Sequence, residues 1–190
     1  MRPPVRLNVA IAGGSCTGKS TLAAALFAQL KERGADYDLV TEESRKLRRE
    51  FGYCRSPFDR LYLWRQQERE ELRSTALEGF ITDTPLFHMY VQARQHVKEP
   101  RDLLAVRELF RMCLEIEDRY QLIVIAEDPF EIPYKTDQSR QTSEEESRRK
   151  HALIRSFVEH FWPDKLLFVK GSVAERVALV LAKLETMRKA

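Results

Sequence analysis

The pattern of apolar and polar positions divides the start of the chain into a strand, a loop and a helix. Residues 5–12 alternate and then become apolar, which predicts a buried first strand. Leu22, Leu26 and Leu30 then recur at helical spacing, and Gly34 follows as a helix stop. The chain therefore opens with a strand, a loop and an amphipathic helix.

The same pattern continues as four more short strands separated by helices. The predicted strands are Tyr37–Thr41, Phe80–Asp83, Gln121–Glu127 and Leu166–Val169. One helix is predicted from Pro57 to about Glu78, and the next begins at a cap formed by Thr84 and Pro85. A third is indicated by the apolar stripe Leu103, Val106, Phe110, Cys113 and Leu114. Two more begin at capping boxes, one at Ser143–Glu146 and one at Ser172 and Glu175. Strands that alternate with helices predict a three-layer α/β fold, with helices on both faces of a mostly parallel sheet.

Length and composition are those of one ordinary globular domain. The 190 residues are 43% hydrophobic and 32% charged, which is an ordinary composition for a globular protein. A chain of this length can bury a core without disulfides or a structural metal. No apolar run reaches the roughly 20 residues needed to cross a bilayer, so no membrane partner is expected. The scattered cysteines Cys16, Cys54 and Cys113 form no disulfide or zinc pattern, so a cytoplasmic location is expected.

The most informative motif is the glycine-rich loop after the first strand. It has the form G-x-x-x-x-G-K-[ST], in which glycines let successive backbone N–H groups point into one concavity that fits a phosphate. The start of the following helix faces the same anion. Lys19 adds a charge for the β- and γ-phosphates, and the Ser20 hydroxyl suits Mg²⁺. The loop therefore predicts binding of a nucleoside triphosphate, with ATP and Mg²⁺ expected. The predicted binding residues are Gly13, Gly14, Ser15, Cys16, Thr17, Gly18, Lys19, Ser20 and Thr21.

Residues beyond the loop favour a small kinase among the proteins that carry such a loop. A GTPase would carry Asn/Thr-Lys-x-Asp at a later strand end, whereas the nearest string, Tyr134–Asp137, lacks the leading residue and lies beyond the strand. A motor-type ATPase would usually be larger. Asp83 ends the third strand, where a carboxylate can hold Mg²⁺ through water. The alternative is that Asp83 only caps the helix after Pro85.

Acidic and basic residues after the second strand are candidates for the acceptor site. Glu42 or Asp83 would accept the proton of an acceptor hydroxyl, and Glu42 is preferred to its neighbour Glu43. Arg45, one turn further on, would bind an acidic group of the acceptor. The alternative is that the glutamates only stabilise the start of a helix through its dipole.

A long polar segment at about residues 128–150 has the composition of a lid. It follows a buried strand and carries several arginines, of which Arg140 and Arg148 are the better candidates for contact with a transferring phosphoryl group. The alternative is that these arginines pair with the glutamates at 144–146 on a solvated helix face.

Taken together, these segments resemble the NadR-like P-loop kinase family. The resemblance rests on GGSCTGKST, on TEESRKL after the second strand, on FITDT before a helix and on the arginine-bearing lid. The family is typified by ribosylnicotinamide kinase and is close in architecture to thymidylate and deoxynucleoside kinases. It implies a five-stranded parallel sheet in one P-loop kinase domain over residues 1–190. It also implies ATP with Mg²⁺ as donor and phosphorylation of a nucleoside-like hydroxyl.

Two other functions stay open at this point. Phage kinases that phosphorylate 5-hydroxymethyluracil within DNA look similar, and the basic clusters at residues 45–49 and 148–150 are compatible with a modified DNA acceptor. A regulatory module that binds nucleotide and hydrolyses it slowly is the alternative from another class. The sequence leaves the acceptor, the oligomeric state and the preference for ATP or GTP open.

Overall fold

The computed structural model describes residues 6–41, 56–127 and 143–189. All five predicted strands are present, with ends within a few residues of the predicted ones, and they form one sheet. The strands are β1 Val9–Ala12, β2 Tyr37–Val40, β3 Gly79–Thr82, β4 Leu122–Ala126 and β5 Leu166–Val169. Within the described ranges, no helix has both the length and the apolar character needed to cross a membrane.

The sheet is wholly parallel and β1 is its central strand. The strand order is β2-β3-β1-β4-β5, with Val9 of β1 opposite Ile81 of β3 and Leu122 of β4. The carboxyl ends of parallel strands lie at one edge of the sheet, which is where ligands bind in folds of this kind. The residues that follow β1 and β3 are therefore neighbours at that edge.

Six helices of the described residues pack against the sheet. They are α1 Lys19–Glu32, α2 Pro57–Leu72, α3 Phe87–Gln95, α4 Asp102–Glu115, α5 Glu144–Phe161 and α6 Val173–Lys189. Both predicted capping boxes are confirmed. Ser143 accepts from the N–H of Glu146, and Ser172 accepts from the N–H of Glu175, while each glutamate side chain accepts from the serine N–H in return.

Two apolar cores lie on opposite faces of the sheet, as the three-layer prediction requires. The alternating residues of β1 separate them, because Ala10 and Ala12 face one core while Val9 and Ile11 face the other. The first core contains Leu63, Trp64, Phe87, Met89, Leu109, Cys113, Phe157 and Trp162. The second contains Leu22, Leu26, Leu30, Val177, Val180, Leu181 and Leu184. The predicted three-layer fold with a five-stranded parallel sheet is thus confirmed.

Helix α2 is shorter than its sequence predicts. The prediction extends it to about Glu78, whereas it ends at Leu72. The Oδ2 atom of Asp38 accepts a hydrogen bond from Ser74 Oγ at 2.8 Å and from the next two backbone N–H groups at 3.2 Å. These hydrogen bonds to the carboxylate of Asp38 hold residues 74–76 in a non-helical conformation between α2 and β3.

The predicted cap at Thr84 and Pro85 is also wrong. Helix α3 begins at Phe87, and its N-cap residue, Leu86, forms no side-chain cap. The Leu86 N–H instead donates to the hydroxyl of Tyr120 at 3.0 Å. The helix start is thus fixed by a distant buried tyrosine rather than by a neighbour in sequence.

Candidate nucleotide-binding site

The glycine loop adopts an irregular backbone between β1 and α1. The φ angles are +142° at Gly13, +58° at Cys16 and +78° at Gly18. Such values favour glycine, and the non-glycine Cys16 costs roughly 1–3 kcal/mol there, a strain that is typical of functional loops. Residues in left-handed and right-handed conformations that follow one another turn their N–H groups into a common concavity. The backbone therefore has the form that binds a phosphate.

The side chains of the loop fold inward around one carbonyl group. The ammonium of Lys19, the first residue of α1, donates to the carbonyl oxygen of Gly14. Thr17 Oγ1 donates to the same oxygen at 3.1 Å. Lys19 is therefore held over the loop rather than extended into solvent, and Ser20 follows it in the first turn of α1.

Asp83 lies at the same sheet edge as the glycine loop. It follows β3 directly, and β3 pairs with β1 through Val9 opposite Ile81. Its side chain is buried, and the Oδ1 atom has no hydrogen-bond partner among the residues that the structure describes. Helix α3 has no side-chain cap, so the alternative role of Asp83 as a helix cap is wrong.

The unpartnered Asp83 oxygen fits a magnesium ion beside the loop. A buried carboxylate oxygen without a donor is costly, and a cation removes that cost. Ser20 and Asp83 are the residues that would hold Mg²⁺, and hydroxyl and carboxylate oxygens are the hard ligands that this ion prefers. Among residues 6–41, 56–127 and 143–189, no cluster of three or more His, Cys, Asp or Glu forms a metal site by itself.

His88 of α3 contacts the loop, and the sequence reasoning missed it. Its Nε2 atom accepts a hydrogen bond from the Gly13 N–H at 3.3 Å, and the ring is buried. Burial lowers the pKa of His88 well below its usual value, and the positive charges of Lys150 and Lys19 lower it further. His88 is therefore neutral and carries its proton on Nδ1.

Helix α5 packs directly on the loop. His151 Nδ1 accepts a hydrogen bond from the Gly14 N–H at 3.4 Å, and Ser147 Oγ donates to the carbonyl oxygen of Ser15. A methyl group built on Gly14 would lie 2.4 Å from the carbonyl oxygen of Ser147. Glycine is thus required at this position because the helix backbone occupies the space of a side chain.

Buried polar residues of α2 and α3 lie close to the same edge. Gln67 Nε2 donates to Thr82 Oγ1 at 3.3 Å, one residue before Asp83. Further from the loop, a guanidinium nitrogen of Arg60 lies 3.4 Å from His96 Nε2. His88 and Gln92 of α3 and His96 at its C-cap are spaced four residues apart, so they lie on one side of the helix, and sequence inspection would find this spacing.

The predicted acceptor and lid residues fall largely outside the described part of the chain. Glu42, Arg45 and Arg140 lie outside the described residues, so their predicted roles stay predictions. Arg148 lies on α5, where its exposed guanidinium pairs with Glu144 at 2.6 Å. A pair of this kind, between a lid arginine and a glutamate on a solvated helix face, is the alternative that the sequence left open. A contact between Arg148 and a phosphate also stays a prediction.

Comparison with known protein families agrees with the geometry of the loop and the sheet. The chain matches the AAA domain family over residues 8–176 and therefore belongs to it. A search of curated proteins finds no significant match.

Solved structures of NadR and of a deoxyadenosine kinase have the same fold. A NadR protein in complex with NAD and AMP-PNP superposes with a TM-score of 0.74 at 16% identity, over 97% of this chain and 50% of the other. A NadR complex with NR gives 0.68 at 20% identity, over 93% and 50%. Deoxyadenosine kinase from M. mycoides gives 0.64 at 14% identity, over 95% and 100%. The chain spans about half the length of the NadR proteins and the whole of the deoxyadenosine kinase. The predicted resemblance to NadR-like P-loop kinases is confirmed.

Proposed function

We propose that this protein is an ATP-dependent kinase that phosphorylates a hydroxyl group of a nucleoside-type acceptor. The observation that carries the proposal is the buried Oδ1 atom of Asp83, which has no hydrogen-bond partner among the described residues and lies directly after β3, the neighbour of the strand that leads into the glycine loop. A phosphate-binding loop with a metal-binding carboxylate on the neighbouring strand is the arrangement that phosphoryl transfer requires. The fold shared with NadR and deoxyadenosine kinase structures supports a nucleoside-type acceptor.

Different side chains at the loop bind the phosphates and stabilise their negative charge. Lys19 exchanges the Gly14 carbonyl for phosphate oxygens and stabilises the negative charge that shifts to the leaving diphosphate. Ser20 and Asp83 would hold Mg²⁺, which would supply electrostatic stabilisation of the phosphates. The backbone of residues 13–18 fixes the position of the phosphates, so that catalysis comes mainly from orientation and electrostatics.

The acceptor side of the reaction is assigned to residues that follow β2 and to arginines of the predicted lid. Glu42 accepts the proton of the acceptor hydroxyl. As it does so, the hydroxyl oxygen bonds to the γ-phosphorus of ATP, and the bond between that phosphorus and the oxygen of the leaving ADP breaks. Arg45 binds an acidic group of the acceptor, and Arg140 and Arg148 contact the transferring phosphoryl group. Gln67, which donates to Thr82 one residue before Asp83, is a further candidate for this site.

Two lysines of α1 give a matched test of the phosphate-binding role. Lys19→Ala should lower kcat/KM for ATP by about 10²-fold or more, because it removes a charge that acts on the transition state. Lys31→Ala, at the far end of the same helix and in an exposed ion pair with Asp36, should change the rate less than twofold. Wild-type activity in Lys19→Ala would refute the proposal.

Asp83→Asn tests the metal role separately. The amide keeps the shape of the carboxylate but loses its charge, so the Mg²⁺ concentration that gives half-maximal activity should rise about tenfold or more. ADP affinity without Mg²⁺ should stay unchanged in calorimetry. An unchanged Mg²⁺ dependence would exclude Asp83 as a metal-binding residue.

A panel of acceptors identifies the substrate. Wild-type protein with [γ-³²P]ATP should label a nucleoside, a nucleotide or ribosylnicotinamide. No observation on the described residues favours modified DNA or a regulatory module, and the same panel tests both. Label in DNA that contains 5-hydroxymethyluracil would support the first. Nucleotide binding without transfer to any acceptor would support the second and contradict the kinase proposal.

A further inference from the structure

We infer that His88 and His151 are positioning residues that fix the first two residues of the glycine loop through unprotonated ring nitrogens. The inference rests on the proposed nucleotide-binding role of the loop and adds two residues to it. The Gly13 N–H donates to His88 Nε2 at 3.3 Å, and the Gly14 N–H donates to His151 Nδ1 at 3.4 Å. The two rings come from different helices, α3 and α5.

The loop needs these acceptors because its first two residues are buried. Gly13 and Gly14 leave β1 at the centre of the sheet, so their N–H groups have no access to bulk water. A buried N–H without an acceptor destabilises the conformation that holds it. The imidazole nitrogens satisfy both groups, and they do so while Gly13 keeps its φ angle of +142°.

The packing around the rings allows little adjustment. A methyl group on Gly13 would lie 3.0 Å from His151 Nδ1, and one on Gly14 would lie 2.4 Å from the Ser147 carbonyl oxygen. The rings and helix α5 therefore hold the start of the loop in one conformation. The phosphate concavity depends on that conformation, because the N–H groups that follow converge only when the loop begins correctly.

The acceptor role requires neutral rings, and the surroundings of His88 keep it neutral. Lys19 from the loop side and Lys150 with His151 from α5 all disfavour a proton on His88, in addition to its burial. A charged His88 would donate at both nitrogens and would face the Gly13 N–H as donor against donor. Lys19, to which the proposed function assigns the phosphates, thus also helps to keep the His88 ring neutral.

Amide variants separate the hydrogen bond from the packing of the ring. Gln can place an acceptor oxygen where His has Nε2, and Asn can do so where His has Nδ1, whereas Leu fills similar space without an acceptor. His88→Leu should weaken ADP affinity about 3- to 10-fold, as expected for one lost hydrogen bond at a buried N–H. His88→Gln should restore it to within about threefold. His151→Leu and His151→Asn should behave in the same way.

Amide hydrogen exchange gives a readout that does not depend on nucleotide. In wild-type protein, NMR should show slow exchange at the Gly13 and Gly14 amides. His88→Leu should speed exchange at Gly13 more than at Gly14, and His151→Leu should reverse that order. His160→Leu, at an exposed position of α5, is the control and should change neither exchange nor ADP affinity.

The outcomes distinguish this inference from the proposed function. Unchanged ADP affinity and exchange in both Leu variants would overturn the positioning role, even if the protein is an active kinase. Equal losses in the Leu and amide variants would also overturn it, because they would mean that ring packing alone matters. Position-specific exchange in a protein that transfers no phosphate would support the positioning role and contradict only the kinase proposal.

Discussion

Glu71 is a buried carboxyl group whose titration is expected to control stability near neutral pH. It is 1% exposed, Tyr120 donates to its Oε1 atom at 2.8 Å, and Arg119 donates to its Oε2 atom at 3.3 Å. Burial raises the pKa of Glu71 from 4.5 to about 8, although the hydrogen bonds from Tyr120 and Arg119 act in the opposite direction. Tyr120 also holds the N–H of Leu86 at the start of α3, so this cluster supports the helix that carries His88.

The sign and size of the effect follow from the difference between the two pKa values. Between pH 4.5 and 8 the folded protein keeps a proton that the unfolded chain has lost, so the free energy of unfolding falls as pH rises. The lowered pKa of His88 acts in the opposite direction, because the unfolded chain binds a proton that the folded ring does not, and this contribution fades as the pH rises above 6.5. From pH 6.5 to 8, about 1.5 units at 1.36 kcal/mol each give a loss on the order of 2 kcal/mol.

Urea unfolding of matched glutamine variants measures this loss. Between pH 6.5 and 8, wild-type protein should lose about 2 kcal/mol relative to Glu71→Gln, whose amide does not titrate. Glu68→Gln, at a partly exposed position, removes the other glutamate that pairs with Arg119, and it should keep the slope of wild type with only a small decrease in the pKa of Glu71. Parallel pH profiles of wild type and Glu71→Gln would refute the reasoning, because they would show that Glu71 is ionised in the folded protein.

Three further substitutions test the core, a helix cap and the predicted lid arginine. Leu26→Ala, at a fully buried position of α1, should lower the free energy of unfolding by about 2–5 kcal/mol in urea. Ser143→Ala removes the cap of α5 and should cost about 1 kcal/mol in the same measurement. Arg148→Ala breaks an exposed pair with Glu144, so stability should change by less than about 0.5 kcal/mol. Its kcat should nevertheless fall about tenfold or more, and an unchanged kcat would exclude a role in transfer.

Features specified by neighbours in sequence could be predicted, and the glycine loop is the best example. The loop, the strand before it and the helix after it all depend on local spacing, so Gly13, Gly18 and Lys19 could be placed from the residue pattern alone. The capping boxes at Ser143 and Ser172 are equally local and are confirmed. Asp83 could be placed at a strand end for the same reason.

Features that depend on contacts between distant segments could not be predicted. The strand order puts β1 between β3 and β4, and nothing in the spacing of residues along the chain encodes which strands pair. His88 and His151 lie 75 and 137 residues from the glycines that they contact. A histidine on an apolar helix face is often only part of the core. The contacts of His88 and His151 with the loop can therefore be recognised only from the fold.

Helix α2 shows why residues of the proposed acceptor site are harder to predict than the glycine loop. Its sequence has charged residues on every face, which is typical of a solvated helix, yet Arg60, Gln67 and Glu71 lie on the buried face beside Leu63 and Trp64. Polar side chains on this face find partners in other elements, such as Thr82 for Gln67 and Tyr120 for Glu71. Periodicity cannot separate such a face from the exposed one. Residues that would select the proposed acceptor are therefore expected among the buried polar groups near the carboxyl end of β3.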